Sequence, residues 1–304
     1  MSTKANVKEI SLYGGLETIL FYEDSHKYKK KDSKDWLIGV TSATSMLDKS
    51  QALIPWALKV AMGYLQDLID TGVVVMPQHL EEAKKRPNEK KEKAADIGKL
   101  IHEWAQNFAI AKRDGLDNPE IPSVEKCGSE ENHEKVVAGI LGFLSWVEEH
   151  DVRILEAEQI VYSRKHDYVG TMDILCTMGI GLNGEKEDHK ILHFGDYKTG
   201  GGIYMDMEFQ VSGYKGARLE EIETAAKLEA AYPKYFDLLD IGDDFIVRFA
   251  KEDKYDKEGS LREEAGTVEV RAISKADSDE NFKCFLGLLA VKRREKIRNK
   301  QSNE

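Results

Sequence analysis

The 304-residue chain is 41% hydrophobic and 33% charged, with a formal net charge of −11 at pH 7. This composition predicts a soluble globular protein with a substantial core, in one large domain or two smaller ones. No apolar run approaches the roughly 20 residues of a membrane-spanning helix, and residues 1–6 lack the apolar core of a signal peptide. We therefore expect no membrane partner and a cytoplasmic location.

The first half of the chain is predicted to be mainly helical. Apolar residues recur at helical spacing in several segments, and Gly, Pro and acidic residues separate them. We expect a hairpin at about 17–31, a helix from about Gln51, an exposed basic helix or flap at 78–93 interrupted by Pro87, a helix at 94–111, a loop at 114–132 and a helix at 133–149.

The second half changes to the period of strands. We expect strands at 153–162, 169–176 and 190–198, a helix at 205–219, a second helical stretch at 220–231, strands at 244–250 and 267–273, and a helix at 279–298. This order predicts an α/β fold in which helices flank a central mixed sheet. We divide the chain into an N-terminal hairpin and helical region, 1–93, packed on a core of 94–304.

The three cysteines, Cys127, Cys176 and Cys284, are odd in number and widely scattered. Their spacing argues against a disulfide framework, a zinc knuckle and a Cys-ligated iron–sulfur cluster. We expect all three to be structural thiols.

The chemically informative residues lie on two predicted strands, with Asp173 on one and Asp196 and Lys198 on the next. Side chains on a strand alternate between faces with a period of two, so Asp196 and Lys198 share a face. Burying charge among apolar residues is costly unless the charge is paired or binds a metal. The pattern therefore predicts a functional site.

A third carboxylate comes from the first strand of the group. The same period places Ile154, Glu156, Glu158 and Ile160 on one face, so Glu158 can join Asp173, Asp196 and Lys198 at one edge of the sheet. Glu156 is the alternative if the register differs by two residues. Such oxygen ligands suit Mg²⁺ or Mn²⁺, while Lys198 would position or deprotonate a water and hold a phosphate. This is the pattern of a phosphodiester-cleaving site.

Two further features lie on predicted helices. His102 is at the flank of its helix, and Gly98, one turn earlier, leaves room for a substrate or metal beside the imidazole. Gln210 and Tyr214 are four residues apart and share a helix face.

Together these motifs resemble the RecB-type branch of the PD-(D/E)XK nuclease superfamily. Five segments match in the family's order, over about 120 residues: Gly98–His102, Glu158–Val161, Gly170–Leu175, Gly195–Gly200 and Gln210–Tyr214. The resemblance implies a restriction-endonuclease-like core. It also implies that His102, Asp173, Asp196 and the main-chain carbonyl of Tyr197 ligate the metal. Lys198 would be catalytic together with Asp173, Asp196 and Glu158, and Gln210 and Tyr214 would position Lys198 and the DNA backbone.

The resemblance predicts a Mg²⁺- or Mn²⁺-dependent exonuclease that acts on DNA ends in recombination, repair or phage DNA metabolism, in the cytoplasm of a bacterium or phage-infected host. Some members carry a four-Cys iron–sulfur cluster or a helicase motor, and this chain has neither motif, so a stand-alone phage-like enzyme is the closer match. The alternatives are an endonuclease of the same superfamily, a catalytically silent DNA-binding module, and a metal-binding protein without a nucleic-acid role. A recombination or single-strand-binding protein is a candidate partner.

The acidic total charge hides three basic runs. Residues 27–34 and 84–93 each sum to +4, and residues 290–300 sum to +5. Such runs are either solvated surfaces or phosphate contacts. We treat 84–93 and the C-terminal helix as candidate DNA-contacting elements.

Overall fold

The computed structural model describes residues 6–256 and 258–302, so most of the stretch read for a signal peptide lies outside the described residues. The chain belongs to the mixed α/β class, as the sequence predicts. Within the described residues the strands are β1 (Val7–Leu12), β2 (Glu17–Tyr22), β3 (Lys27–Lys30), β4 (Ile38–Gly39), β5 (Val152–Ser163), β6 (Tyr168–Met178), β7 (Ile191–Lys198), β8 (Asp240–Ile241), β9 (Asp244–Phe249), β10 (Lys254–Tyr255), β11 (Leu261–Glu263) and β12 (Val268–Ile273).

The helices alternate with these strands along the chain. They are α1 (Val40–Thr44), α2 (Ser50–Asp70), α3 (Pro77–Asp114), α4 (Val124–Cys127), α5 (Glu130–Glu149), α6 (Met205–Lys227), α7 (Tyr235–Leu238) and α8 (Lys275–Gln301). No helix within residues 6–256 and 258–302 combines the length and the apolar character needed to cross a membrane.

The central sheet is mixed. Its main path runs β12-β9-β7-β6-β4, with β5 along β6 and β8 along β7. β9 is parallel to β7 and β4 is parallel to β6, whereas the β12–β9, β7–β6 and β6–β5 pairs are antiparallel. The three strands that carry the predicted carboxylates are therefore neighbours, in the order β5-β6-β7.

A gap opens along one edge of β6. Toward one end this edge pairs with β7, at Ile174–Cys176, and toward the other end it pairs with β4, at Tyr168–Val169. Residues 170–173, between the two, have no strand partner on this edge among the described residues. β6 and β7 thus fork after the Ile174–Gly195 pair. Backbone and side chains at the fork are free to face a ligand.

Helices cover both faces of the sheet. Ile101 and Trp104 of α3 and Phe143 and Trp146 of α5 form one core with the sheet. On the other face α1, α6 and α8 form a second core, to which Tyr214 and Phe285 contribute. Burial of such large apolar side chains is the main source of the stability of the fold.

A small antiparallel sheet, β1-β2-β3, packs beside the central one. Tyr13 and Ile19 pack with Ile160, Tyr162 and Val169 of β5 and β6 in a third buried cluster. This sheet contains the hairpin predicted at 17–31, and it places the N-terminal region against the carboxylate-bearing strands.

Helix α3 differs from the prediction because it runs unbroken through Pro87. The predicted boundary between residues 93 and 94 accordingly falls inside this helix. A proline removes one backbone hydrogen bond and usually breaks a helix. Here α2 packs along the proline-containing half, with the Arg86 guanidinium 4.5 Å from the Tyr64 ring centroid. We attribute the unbroken course of α3 to this packing against α2, which cannot be predicted from the local sequence around Pro87.

Two smaller differences follow from local signals. Ser129 caps α5 by accepting a hydrogen bond from the Asn132 backbone N–H, so this helix begins at Glu130 rather than 133. The two helical stretches predicted at 205–219 and 220–231 form the single helix α6.

Candidate metal centre

The fork between β6 and β7 brings Asp173 and Asp196 together. Each is the first residue beyond the last β6–β7 pair, Ile174 with Gly195, on its own strand. The backbone N–H of Tyr197 donates a 2.8 Å hydrogen bond to Oδ2 of Asp173 across the fork. This bond replaces the missing strand pairing and holds the Asp173 carboxylate toward β7.

Lys198 lies on the same side of β7 as Asp196, as the strand period predicts. Its Nζ contacts Oδ2 of Asp196. Apart from this ammonium group, no donor reaches Oδ2 of Asp196 among the described residues. A carboxylate oxygen has two acceptor positions, so this buried oxygen can also bind a cation or a further donor.

His102 enters the site from α3. Its Nε2 lies 3.0 Å from the Tyr197 carbonyl oxygen, and its Nδ1 lies 3.8 Å from Oδ2 of Asp173. The room expected beside the imidazole at Gly98 is taken by the chain itself: a Cβ at Gly98 would lie 2.7 Å from Oγ1 of Thr199. The glycine therefore allows α3 to approach the end of β7.

Glu158, and not Glu156, reaches the site. β5 has a bulge between Ile154 and Glu156, and Glu158 itself has a φ of +49°. The bulge precedes both glutamates, so the left-handed backbone at Glu158 is the irregularity that lies between them, and the two side chains predicted to share a face have different partners. Glu156 accepts hydrogen bonds from Arg218 of α6, whereas Glu158 faces His102 and Asp173.

Three predicted residues form a compact ligand set. One ligand atom from each of His102, Glu158 and Asp173 lies within 4.8 Å of the others. Asp196 lies next to this set and forms an ion pair with Lys198. The Tyr197 carbonyl oxygen lies within hydrogen-bond distance of the His102 imidazole. The carboxylate and carbonyl oxygens suit Mg²⁺ or Mn²⁺, and Asp196 adds a further carboxylate beside the set.

Burial dominates the electrostatics of the carboxyls. It raises the pKa of Glu158 to about 8, with the charges of Asp173 and Asp196 adding to the rise. It also raises the pKa of Asp196 to about 7, against the opposing effect of Lys198. The pKa of Asp173 is raised by burial as well, although Lys198 and the Tyr197 N–H oppose the shift. The cluster therefore holds protons near neutral pH, which a cation would displace.

The two basic groups shift in opposite directions. Burial, and then the charge of Lys198, lowers the pKa of His102, so its imidazole is neutral and suited to bind a metal. Burial alone would lower the pKa of Lys198, but Asp196 and Asp173 outweigh it and raise that pKa above its ordinary value. Lys198 is therefore an ammonium ion, fitted to hold an anion rather than to remove a proton.

Gln210 and Tyr214 line the same cavity as the carboxylates, which has a volume of about 780 Å³. The Gln210 amide donates to Oγ1 of Thr44, 3.1 Å away. A Cβ at Gly170 would lie 2.5 Å from the Tyr214 ring, so this glycine lets the ring lie against β6. Within residues 6–256 and 258–302, neither side chain hydrogen-bonds to Lys198, whose partner is Asp196.

The N-terminal region supplies a wall of the cavity that the motifs did not predict. His26, Lys27, Tyr28 and Trp36 line it, and the Tyr28 hydroxyl lies 2.7 Å from Oγ1 of Thr171 on β6. The aromatic and basic character of 21–36 was the only signal in the sequence, and it carries no spacing that points to the site.

Comparison with known proteins does not assign the chain, because neither a protein-family model nor a curated protein sequence matches it.

Proposed function

We propose that this protein is a Mg²⁺- or Mn²⁺-dependent deoxyribonuclease with a RecB-type PD-(D/E)XK core. One observation carries the proposal: Glu158, Asp173 and Asp196 converge with His102 and an ammonium group, Lys198, at the fork between β6 and β7. A structural ion pair with one lysine does not require three carboxyls, one of them buried and two half-buried. A site that binds a divalent cation and a phosphate does require several carboxylates beside a positive charge.

His102, Glu158, Asp173, Asp196 and the Tyr197 carbonyl are the residues that would hold the cation. When bound, the cation would supply a water of lowered pKa and positive charge beside the scissile phosphate. The backbone N–H of Tyr197 keeps the Asp173 carboxylate in place, and the low pKa of His102 keeps its ring nitrogen available.

Lys198 contributes its charge. Since Asp196 and Asp173 keep it protonated, Lys198 is suited to bind a non-bridging phosphate oxygen and to stabilise the charge that develops during in-line attack. Attack by water with departure of the 3′-oxygen leaves a 5′-phosphate and a 3′-hydroxyl. Gln210 and Tyr214, on the wall of the cavity, are placed to contact the DNA backbone.

The proposed substrate is a DNA end. The resemblance to stand-alone exonucleases favours an exonuclease, and the mixture of lysine and aromatic side chains along the cavity is suited to a nucleic-acid strand. The proposed setting is recombination, repair or phage DNA metabolism in the cytoplasm.

One assay tests the proposal. Linear single- and double-stranded DNA, labelled at the 5′ or 3′ end, is incubated with the protein beside a covalently closed circle, with Mg²⁺, Mn²⁺ or EDTA. We expect the linear DNA to shorten only with a divalent cation and the circle to remain intact. Cleavage of the circle would assign an endonuclease, and no cleavage of any substrate with either cation would refute the proposal.

A further inference from the structure

A second cavity, of about 710 Å³, adjoins the candidate metal centre. Lys198 lines the first cavity, and the three residues that follow it, Thr199, Gly200 and Gly201, line the second. Its volume is within the range of about 300–1,000 Å³ that encloses small ligands. The two cavities thus meet at the end of β7.

The glycines in this segment are not needed for packing. Gly200 has open space where a Cβ would lie, and the nearest atom to a Cβ at Gly201 or Gly202 is the Tyr204 hydroxyl, 3.8 and 3.6 Å away. None of the three has a positive φ. The carbonyls of Gly200 and Gly201 accept hydrogen bonds from Arg248 and Lys254. The absence of side chains at three successive residues, required neither by contacts nor by backbone conformation, lets a ligand approach this segment closely.

The walls of this second cavity combine apolar and aromatic surface with several basic side chains and with three carboxylates, those of Asp48, Asp206 and Glu252. Trp56 of α2 and Tyr204, which precedes α6 and is 54% exposed, provide two aromatic rings. Lys90 and Lys91 of α3 stand at the rim and form no ion pair among the described residues. By contrast, Lys49 is already paired with Asp206 at 2.6 Å. Lysines without ion pairs beside an exposed Tyr204 and a half-buried Trp56 are complementary to a phosphate with an attached base.

We propose that this second cavity binds the terminal nucleotides of the DNA strand, on the side of the scissile phosphate away from the first cavity. This inference rests on the proposed function for the identity of the polymer. A base stacks on Tyr204 or Trp56, its phosphate lies near Lys91, and the sugar–phosphate chain passes over Gly200 and Gly201 to reach Lys198. The nucleotides released by cleavage leave from this second cavity.

The test uses a short probe that binds without being cut. Binding of 5′-phosphorylated dithymidylate is measured by calorimetry in EDTA, for the full chain and its variants. Tyr204→Ala should weaken binding at least fivefold, the low end of the effect of base–aromatic stacking. Gly201→Leu should abolish it by filling the approach to the backbone. Lys91→Glu should weaken it, whereas the matched control Lys112→Glu, which is exposed on the same helix and lines neither of these cavities, should bind as wild type.

Two outcomes separate this inference from the nuclease proposal. If wild type binds the dinucleotide with these variant effects but does not cut linear DNA, the nucleotide site stands and the nuclease proposal falls. If wild type cuts DNA while Tyr204→Ala and Gly201→Leu bind the dinucleotide within twofold of wild type, the inference is overturned and the nuclease remains. It is also overturned if wild type shows no binding at about 1 mM probe. Thermal melting of each variant verifies that it is folded.

Discussion

At the scale of single residues, the site is a cluster of like charges held together by one ammonium group. Glu158, Asp173 and Asp196 are all shifted toward the protonated form by burial, and Lys198 is the main opposing charge on both aspartates. Without a metal, ionising these carboxyls lowers the free energy of unfolding, because their pKa values are higher in the folded protein than in the unfolded chain. A bound divalent cation favours the ionised carboxylates and so restores this stability.

The pKa of Glu158 predicts how the metal-free protein responds to pH. In the unfolded chain this carboxyl titrates near 4.5, and in the folded protein near 8. Between these values folding requires a proton to be taken up, so stability should fall as pH rises from about 5 to about 8. We expect the melting temperature in EDTA to fall as pH rises from about 5 to about 8. In parallel samples with Mn²⁺ instead of EDTA, the melting temperature should be higher, and the difference should be largest near pH 8.

Two variants check the assignment of this effect. Glu158→Gln should reduce the pH dependence of the melting temperature in EDTA and leave the part that the raised pKa of Asp196 contributes. Glu120→Gln, in an exposed loop, should retain the wild-type profile. An unchanged profile in Glu158→Gln would contradict the burial of this carboxyl in the cluster.

A second residue-scale feature is structural. The Arg218 guanidinium lies between the buried carboxylates of Glu156 and Glu221, and Glu221 also accepts from the backbone N–H of Tyr13. The Tyr235 hydroxyl donates to Glu156, 2.6 Å away. This network accounts for Glu156 without any role in catalysis.

Arg218→Met should therefore be strongly destabilising. It leaves two buried carboxylates without their cation, which costs about 3–5 kcal/mol in unfolding free energy. Urea denaturation measures this loss. Arg164→Met breaks a half-exposed pair with Glu17 and should cost less than about 1 kcal/mol. Equal losses in the two variants would show that the buried network does not form.

At the scale of elements, the fork between β6 and β7 is the feature that makes the site. The gap between β7 and β4 along β6 leaves residues 170–173 open. Glu158, in a left-handed backbone conformation on β5, reaches the gap, and α3 brings His102 to it. The close approach of α3 depends on Gly98 and Thr199, which nearly touch.

This contact predicts that Gly98→Ala changes the free energy of unfolding in opposite directions with and without the Thr199 side chain. Gly98→Ala alone places a Cβ 2.7 Å from Oγ1 of Thr199 and should cost about 1–3 kcal/mol. In a Thr199→Ala background the nearest atom is a Cβ at 4.0 Å, so the same change should stabilise the helix by about 0.5–1 kcal/mol. Denaturant unfolding of the four proteins measures both values, and additivity would contradict the packing of α3 on the end of β7.

Local signals made much of the fold predictable. β5, β6 and β7 begin and end within about two residues of their predicted bounds, because alternation and turn residues are properties of the segment itself. The continuity of α3 through Pro87 was not predictable, because it depends on α2. The different partners of Glu156 and Glu158 were not predictable either, since the sequence does not mark the left-handed backbone at Glu158 within the strand. The wall formed by His26 and Trp36 required the tertiary structure.

At the scale of the whole molecule, the basic runs have different roles in an acidic protein. In the C-terminal helix α8, Lys296 donates to the Trp36 carbonyl and Lys300 pairs with Asp35, at 2.5 and 2.7 Å. These lysines attach α8 to the N-terminal region. Lys90 and Lys91, in the 84–93 run, remain free at the rim of the second cavity.

Charge reversal should separate the two runs. Lys90→Glu with Lys91→Glu should lower DNA affinity and reduce the salt slope by about 1–2 units, because each phosphate contact contributes about 0.7–0.9. Lys296→Glu with Lys300→Glu should lower the melting temperature and leave the salt slope of DNA binding near that of wild type. Fluorescence anisotropy at several salt concentrations, with melting curves, measures both. If the first pair left the slope unchanged, the 84–93 run would not contact DNA.

The most direct test of the metal-dependent nuclease is the effect of Lys198→Met on single-turnover cleavage of labelled linear DNA at saturating Mn²⁺, with Mn²⁺ binding measured in parallel. Removing a preorganised charge that stabilises the transition state costs about 10²–10³-fold in rate. We predict a loss of this size with the Mn²⁺ site intact, and a wild-type rate for Lys112→Met, at an exposed lysine of α3 outside the cavities. Cleavage by Lys198→Met at the wild-type rate would contradict the assignment of the fork as the catalytic site.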